Sequence, residues 1–340
     1  MGWGANKGEW SELYVFLKIL VEGFAHEADK DLKKKDAKYD FVSLLRDDSG
    51  EMKVFHTRES QYGEDSVVSR QNLMGLTIKL FESIKNGVGS FELPEITHAM
   101  NALGLNKIKT GSWQKTDLLA KIKSPMTGEE TDRGFSIKSQ LGSPSTLVNA
   151  SSHTRFEYLI PLTKQEIKDI WKTAKTDSIQ DRLRALENEK VAVESLGAIS
   201  PVLRESLSFW GEEFQIDLGQ LFLLGYLDGD RKITSLCKGD KFGSEGFKYK
   251  VKGLLAATAL GMTPSKPWNG KHPVHGGYIV LNKNGELLVL DADKGDDFRD
   301  YLFEQAAFET PSSSRHEVGT LQEIGGATKM ILTMQIRFQP

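Results

Sequence analysis

Three polar residues alternate with less polar neighbours in the stretch Gly134-Phe-Ser-Ile-Lys-Ser-Gln-Leu-Gly142, namely Ser136, Lys138 and Gln140. Because residues two apart on a strand point to the same side, a strand here predicts one polar face. Asp117 precedes Ser136 by the length of a hairpin with a loop. If the neighbouring strand brings Asp117 to that face, a carboxylate, a hydroxyl and an ammonium meet at one sheet edge. A carboxylate suits Mg²⁺, and an ammonium beside it can orient or polarise a water.

This spacing is similar to the pattern of metal-dependent nucleases, in which an Asp is followed by an acidic residue, any residue and a Lys. The pattern alone is common, and from spacing alone a solvated strand face is the favoured interpretation. Ser136 stands where most such nucleases have Glu or Asp. A hydroxyl is a poor substitute for a charged metal ligand, so this position departs from the pattern.

The elements that would position these residues follow from apolar spacing. Trp10 to Glu22 has helical periodicity, and Asn6 with Glu9 forms a capping-box pattern before it. Residues 113–122 and 134–139 predict two strands around a loop rich in turn formers. Other helices are predicted at 70–85, 91–103, 163–193, 201–210, 217–226 and 247–260, and other strands within 41–57 and at 277–282, 286–291 and 329–338.

Length, charge and cysteine content limit the class of protein. At about 150 residues per domain, 340 residues allow roughly two domains. No apolar run approaches the ~20 residues of a bilayer span, and we expect no signal peptide. The single cysteine, Cys237, excludes an internal disulfide and favours a cytoplasmic setting. The net charge of −3 argues mildly against nucleic acid, but a cleft needs only local Lys and Arg.

Several blocks of the sequence resemble the HpaII family of type II restriction endonucleases. The blocks are Gly4-Ala-Asn-Lys-Gly-Glu-Trp-Ser-Glu-Leu13, Lys115-Thr-Asp117, Gly134 to Ser151, Thr310-Pro-Ser-Ser-Ser-Arg-His316 and Gln335-Ile-Arg-Phe338. They follow one another from the first helix to the last strand, so the resemblance covers nearly the full length. The block from Gly134 to Ser151 is the most specific, whereas residues 163–261 carry no matching motif.

The resemblance implies an α/β fold of the restriction-endonuclease (PD-(D/E)XK) type, a mixed central sheet flanked by helices with an α-helical insertion in mid-chain. We expect a nuclease core with the catalytic hairpin at 1–160, a mainly helical insert at 161–262, and C-terminal strands at 263–340 that complete the core and contact DNA. The implied activity is Mg²⁺-dependent double-strand cleavage at CCGG, leaving 5′-phosphate ends. The implied setting is the bacterial cytoplasm, with a homodimer on the palindromic site and a cognate DNA methyltransferase.

The same resemblance assigns roles in the catalytic hairpin. Asp117 takes the aspartate position and Lys138 the lysine position. Asp117 and the carbonyl of Ile137 would then hold the metal, while Lys138 positions the attacking water.

Because Ser136 lacks a charge, either one well-held metal suffices or another carboxylate contributes. Glu9 or Glu12 on the first predicted helix is the candidate, and Gln140 could add a neutral oxygen. Glu9 has an alternative role, since it can simply close the capping box with Asn6. Glu12, one turn later, is expected to be an exposed helix residue or a neighbour of the metal ligands rather than a ligand itself.

Residues that could contact DNA lie in three regions after the hairpin. They share hydroxyl, amide or cationic donors suited to phosphates or base edges, and are Ser143, Ser145, Asn149, Ser151, Arg315, His316, Gln335 and Arg337. Asn149 could equally cap its own turn. Arg337 could read guanine through two hydrogen bonds, or could be buried in an ion pair with a core carboxylate.

Two other functions remain open from the sequence. A serine-substituted site could be inactive, which would leave a sequence-specific DNA-binding protein without catalysis. A metal site of this kind could instead serve a phosphodiesterase that acts on small nucleotides.

Overall fold

The computed structural model describes residues 3–48, 50–63, 67–108, 116–124, 127–294, 296–312, 316 and 318–339. The chain divides into two compact units. The first comprises Met1–Ser145 and His272–Phe298, and the second comprises Thr146–Lys271 and Arg299–Pro340. Each unit contains helices and strands, so the predicted mixed α/β class is confirmed.

The elements before residue 145 all belong to the first unit. The helices are α1 (Lys7–Glu22), α2 (Arg70–Asn86) and α3 (Pro94–Ala102). The strands are β1 (Gly4–Asn6), β2 (Phe24–Ala28), β3 (Lys34–Asp48), β4 (Glu51–His56), β5 (Gln61–Tyr62), β6 (Val68–Ser69), β7 (Ser90–Glu92), β8 (Leu118–Lys123) and β9 (Glu130–Ser139).

The second unit begins with the strands β10 (Thr146–Val148), β11 (Arg155–Ile160) and β12 (Glu194–Ala198). Its helices are α4 (Lys164–Thr173), α5 (Ile179–Asn188), α6 (Pro201–Leu207), α7 (Phe214–Asp228), α8 (Ile233–Leu236), α9 (Gly239–Phe242) and α10 (Glu245–Ala259). The remaining elements are β13 (Gly277–Leu281), β14 (Leu287–Leu290), α11 (Asp296–Gln305), β15 (Ala306–Glu309), β16 (Thr320–Ile324), β17 (Ala327–Thr333) and β18 (Gln335–Phe338).

A seven-stranded mixed sheet forms the framework of the first unit. Its order is β2-β14-β13-β9-β8-β3-β4, with an additional pairing of β2 and β3. Strand β9 is central, antiparallel to β8 and parallel to β13. In register, Ser136 faces Tyr278 and Lys138 faces Val280 on β13. Because β9 is hydrogen-bonded on both sides, its side chains project from a fixed backbone.

Helix α1 packs into the core of the same unit. Its start carries the predicted capping box, in which Asn6 accepts the Glu9 N–H and Glu9 accepts the Asn6 N–H. The helix ends at Gly23, whose φ of 76° is a left-handed conformation that glycine adopts without strain. Trp10 is fully buried, and the Ser11 hydroxyl donates to the Ser139 hydroxyl at 2.9 Å. Helix α1 is therefore joined directly to the end of β9.

The second unit contains two antiparallel sheets and most of the helices. One sheet has the order β12-β11-β17-β16, and the other has the order β10-β18-β15. The hydroxyl of buried Tyr158 on β11 donates to the Gly219 carbonyl of α7 at 2.8 Å, which ties helix to sheet.

Several predicted elements need correction. The 163–193 segment forms two helices rather than one, and β12 is a strand within the 161–262 segment predicted as mainly helical. The helix predicted at 91–103 begins only at Pro94, after the strand β7, because proline favours the first helical turn. The strand predicted at 329–338 is two strands, β17 and β18. The strands that were not predicted are β1, β2, β5, β6, β7, β10, β11, β12, β15 and β16.

The compact units divide at other residues than the three predicted segments. Strands β13 and β14 join the sheet of the first unit, whereas β15 to β18 belong to the second. The functions assigned to the three segments stay predictions. No helix among the described residues is long and apolar enough to cross a membrane.

The capping box gives a first testable prediction. Asn6→Ala removes the side-chain oxygen that accepts the Glu9 N–H, and we expect it to lower the free energy of unfolding by about 1 kcal/mol. Asn6→Ser keeps a capping oxygen and should remain close to the parent. Urea denaturation followed by circular dichroism measures both, and equal stability of Asn6→Ala and the parent would contradict the prediction.

Candidate active site

Asp117, Ser136 and Lys138 meet at the start of β8 and the end of β9. The Asp117 N–H donates to the Phe135 carbonyl at 3.0 Å, which fixes the residue beside β9. Its Oδ2 accepts hydrogen bonds from the Ser136 hydroxyl and the Ile137 N–H, both at 2.8 Å. The Lys138 ammonium donates to the Ser136 hydroxyl at 3.0 Å. The predicted convergence of carboxylate, hydroxyl and ammonium is therefore present.

The local backbone explains why Asp117 points this way. The β8–β9 ladder ends at the pair Leu118 and Phe135. The next β9 N–H on the β8 side is that of Ile137. It lies beyond the first residue of β8 and takes the Asp117 carboxylate as its acceptor. A buried N–H that found no acceptor would be costly, so this bond stabilises the orientation of the carboxylate.

Lys138 lies in a half-buried environment of mixed character. Its Nζ is 4.9 Å from the centre of the Tyr278 ring, a distance at which the ring face attracts a cation. Burial lowers the pKa of the Lys138 ammonium below its usual range, while the negative charges of Asp117 and Glu12 act in the opposite direction. The nearby carboxylates thus favour the charged form of the ammonium and oppose the effect of burial.

Asp117, Lys138 and Glu12 line a cavity of about 880 Å³ within the first unit. The lining residues come from the start of α1, the segment after α2, and the β8–β9 hairpin with the turn after it: Asn6, Lys7, Gly8, Glu12, Gly87, Val88, Gly89, Asp117, Ile137, Lys138, Ser139, Leu141, Gly142, Ser143 and Ser145. Glu12 and Asp117 are the acidic residues among them. The cavity therefore combines two carboxylates with the Lys138 ammonium.

Two of the predicted site residues lie elsewhere in the first unit. The Glu9 carboxylate accepts the Asn6 N–H at 3.0 Å and serves the helix cap. Gln140 is exposed in the turn after β9, and its N–H donates to the Leu281 carbonyl at 2.9 Å. Among the described residues, those that line the cavity include neither Glu9 nor Gln140. The structure brings Glu12 to the cavity instead, the other carboxylate that the sequence offered on this helix.

The donor atoms around the cavity fit a hard cation such as Mg²⁺. Within the described residues, no three His, Cys, Asp or Glu side chains form a cluster that could enclose a metal. Mg²⁺ does not need such a cage, because it keeps several waters and binds through one or two carboxylates. Asp117 and Glu12 supply oxygen ligands of this type, and Ile137 lines the same cavity.

The predicted DNA contacts after the hairpin have different surroundings. Ser143 and Ser145 line the cavity. Asn149 is exposed. The Ser151 hydroxyl accepts the His153 N–H at 3.2 Å and caps a short 3-10 turn, so it already has a structural role.

The predicted contacts near the C-terminus lie on or beside β18. Gln335 and Arg337 are half-buried on one face of this strand, as the alternation predicted. The Arg337 Nε is 3.1 Å from the Glu309 Oε2, but both side chains are over a third exposed, so this ion pair is not the buried one of the alternative. The His316 carbonyl accepts the Thr333 hydroxyl at 2.8 Å. Arg315 lies outside the described residues.

The cavity-lining residues that sequence reasoning missed include Lys7 and Val88. Lys7 stands in one of the blocks that carry the family resemblance, but a single lysine beside a helix cap has no distinctive pattern. Val88 lies between two glycines after a predicted helix, which by itself indicates only a turn.

The charges around Lys138 give a second prediction. Asp117→Asn removes a negative charge that raises the Lys138 pKa, so this pKa should fall further. Glu12→Gln should act in the same direction, whereas Glu9→Gln should leave it unchanged. The ¹³Cε shift of labelled lysine, titrated by NMR and assigned with Lys138→Arg, reports each value. An unchanged titration in Asp117→Asn would refute this account of the charges.

Comparisons with known proteins agree with the resemblance seen in the sequence. The family model described as HpaII restriction endonuclease matches residues 6–338. The type II restriction enzyme HpaII of Haemophilus parainfluenzae is 30% identical over 352 aligned positions, which cover 98% of each chain. No solved structure gives a significant match. The chain therefore belongs to the HpaII family of restriction endonucleases, which are DNA-cutting hydrolases.

Proposed function

We propose that this enzyme is a type II restriction endonuclease that makes Mg²⁺-dependent cuts in both DNA strands at CCGG and leaves 5′-phosphate ends. The observation that carries the proposal is the hydrogen-bonded cluster of Asp117, Ser136 and Lys138 beside a cavity that also contains Glu12. Family membership supports the reaction class, and the name of the relative at 30% identity supports the choice of a restriction site as substrate.

The proposal extends to fold and assembly. The central sheet of the first unit, with α1 against it, would be the core of a restriction-endonuclease-like fold, and the mainly helical 161–262 segment would be an insertion in that core. A homodimer would place one cavity on each strand, because a palindromic site repeats itself about a two-fold axis. A cognate DNA methyltransferase would protect host sites from cleavage.

Each residue of the cluster has a role in this proposal. Asp117, Glu12 and the Ile137 carbonyl would hold Mg²⁺, and Glu12 would supply the charge that Ser136 lacks. When bound, Mg²⁺ would provide Lewis-acid stabilisation of the charge that develops on the phosphate. Lys138 would donate a hydrogen bond to the attacking water and orient it for in-line displacement. Ser136 would keep Asp117 and Lys138 in fixed relative positions through its two hydrogen bonds.

Removal of either end of the cluster provides the direct test. Lys138→Ala and Asp117→Asn, which keeps an oxygen acceptor for the Ile137 N–H, should fold normally and cut DNA at least 100-fold more slowly. The first loses the group that orients the water, and the second loses a charged metal ligand. The measurement is digestion of a plasmid with mapped CCGG sites in Mg²⁺ and in EDTA. The fragments should ligate without prior phosphorylation if the ends carry 5′-phosphates.

Three outcomes of this digest would overturn parts of the proposal. Normal cutting by either variant would exclude these residues from catalysis. Binding of CCGG duplex by the parent without any cutting would favour an inactive DNA-binding protein. Hydrolysis of small cyclic or dinucleotide phosphodiesters, with plasmid left intact, would favour the alternative phosphodiesterase.

The two carboxylates on α1 give a matched pair of variants. Glu12→Gln should reduce cleavage by at least 100-fold and weaken Mn²⁺ binding measured by calorimetry, since a charged metal ligand is lost. Glu9→Gln should retain both within a few-fold, because glutamine can still close the capping box. The opposite ranking of the two variants would return the metal-ligand role to Glu9.

A further inference from the structure

Lys7 and Val88 both line the cavity, and the part of its rim that they form is called the mouth below. Its ammonium donates to the Lys85 carbonyl at 3.1 Å and to the Leu141 carbonyl at 3.4 Å. Lys85 lies at the end of α2, and Leu141 lies in the turn after β9. Lys7 therefore connects the end of α2 to the turn after β9, next to the lining residues Gly87 and Leu141. Within the described residues, no carboxylate forms an ion pair with Lys7.

The charge of Lys7 does not serve the helix on which it stands. Lys7 is the first residue of α1 after the Asn6 cap. A cation in the first turn is disfavoured by the helix dipole, which prefers negative groups at this end. Two neutral carbonyls use part of the donor capacity of the ammonium, which has three N–H groups. An anionic acceptor at the mouth would complete its hydrogen bonding.

Val88 lies at the same mouth and projects into solvent. It is 88% exposed, the largest value among the large hydrophobic side chains of the described residues. It also lines the cavity. An isolated exposed valine is ordinary on a protein surface, but this one borders the opening to the two carboxylates.

The loop that carries Val88 is held in one conformation. A side chain at Gly87 would lie 2.4 Å from the Phe91 ring, so only glycine fits there. Gly89 has a φ of 67°, a left-handed value that favours glycine. The Phe91 ring stacks on Trp10, and the Trp10 indole N–H donates to the Phe91 carbonyl at 3.1 Å. Val88 is thus presented from an anchored turn.

We propose that Lys7 and Val88 form a backbone-contact site for duplex DNA at the cavity mouth, with Lys7 bonded to a phosphate and Val88 packed against the adjacent deoxyribose. The DNA backbone alternates anionic phosphates with largely apolar sugars, and the mouth offers one unmatched cation and one exposed apolar side chain. Such contacts position the strand and carry no sequence information. This inference rests on the proposed function, because it assumes that DNA enters this cavity.

The salt dependence of binding tests the Lys7 contact. Each phosphate contact contributes about −0.9 to the slope of log K against log salt concentration. Lys7→Gln retains N–H donors for the two carbonyls but removes the charge. We expect its slope to be shallower by about 0.9 and its affinity to fall about eightfold at 0.1 M salt. Lys7→Arg should restore the parental slope. The readout is fluorescence anisotropy of labelled CCGG and scrambled duplexes in EDTA.

Lys53 provides the matched control for charge. Its ammonium also donates to a backbone carbonyl, that of Gly104, and it lines a different cavity of the same unit. Lys53→Gln removes the same charge and should leave the slope within error of the parent. An unchanged slope in Lys7→Gln, or an equal change in Lys53→Gln, would overturn the phosphate contact.

Val88→Ala tests the sugar contact against Val67→Ala, since Val67 is another exposed valine of the same unit. We expect about fourfold weaker binding for Val88→Ala without a change in salt slope, and parental binding for Val67→Ala. Equal affinities of the two variants would overturn this contact.

A parent that neither binds duplex nor cuts it would instead refute the proposed function. A parent that cuts at CCGG, with Lys7→Gln and Val88→Ala like the controls, would refute the mouth site alone.

Discussion

The Asp117 carboxylate is fixed by two hydrogen bonds from consecutive residues of β9, and the rest of the cavity depends on that attachment. One bond comes from the Ser136 hydroxyl and the other from the Ile137 N–H. Strand β9 is paired on both sides within the sheet. A carboxylate bound in this way has little freedom to rotate, so its remaining oxygen faces a defined region. Preorganisation of this kind is what a metal ligand or a catalytic carboxylate requires.

The second constraint on the cavity is its balance of charge. Burial lowers the pKa of Lys138, and the negative charges of Asp117 and Glu12 counteract that effect. The carboxylates therefore favour the cationic form of the lysine, and the lysine places a positive charge beside both of them. Helix α1 contributes to this balance, because it brings Glu12 to the lining while Glu9, one turn earlier, is used by the helix cap.

Sequence patterns predicted those parts of the site that depend on neighbours in the chain. Alternation placed Ser136 and Lys138 on one face of a strand, and the capping box located the start of α1. The choice between Glu9 and Glu12 depends on how the helix is rotated against β9, which no local pattern specifies. The strands β11 and β12 were missed for a similar reason, since pairing with a distant partner, not local periodicity, makes them strands. Lys7 and Val88 are prominent only because folding places both at one opening.

The serine at position 136 is consistent with this geometry rather than a defect in it. Its Oγ lies 2.8 Å from the Asp117 Oδ2 and 3.0 Å from the Lys138 Nζ. A hydroxyl can donate to the first and accept from the second at the same time, whereas an ionised carboxylate can only accept. An acidic residue in this position would set two like charges at hydrogen-bond distance and would raise the pKa of one of them. A second carboxylate on α1 avoids that repulsion, because it approaches the cavity from a different element and leaves the hydrogen bonds along β9 intact.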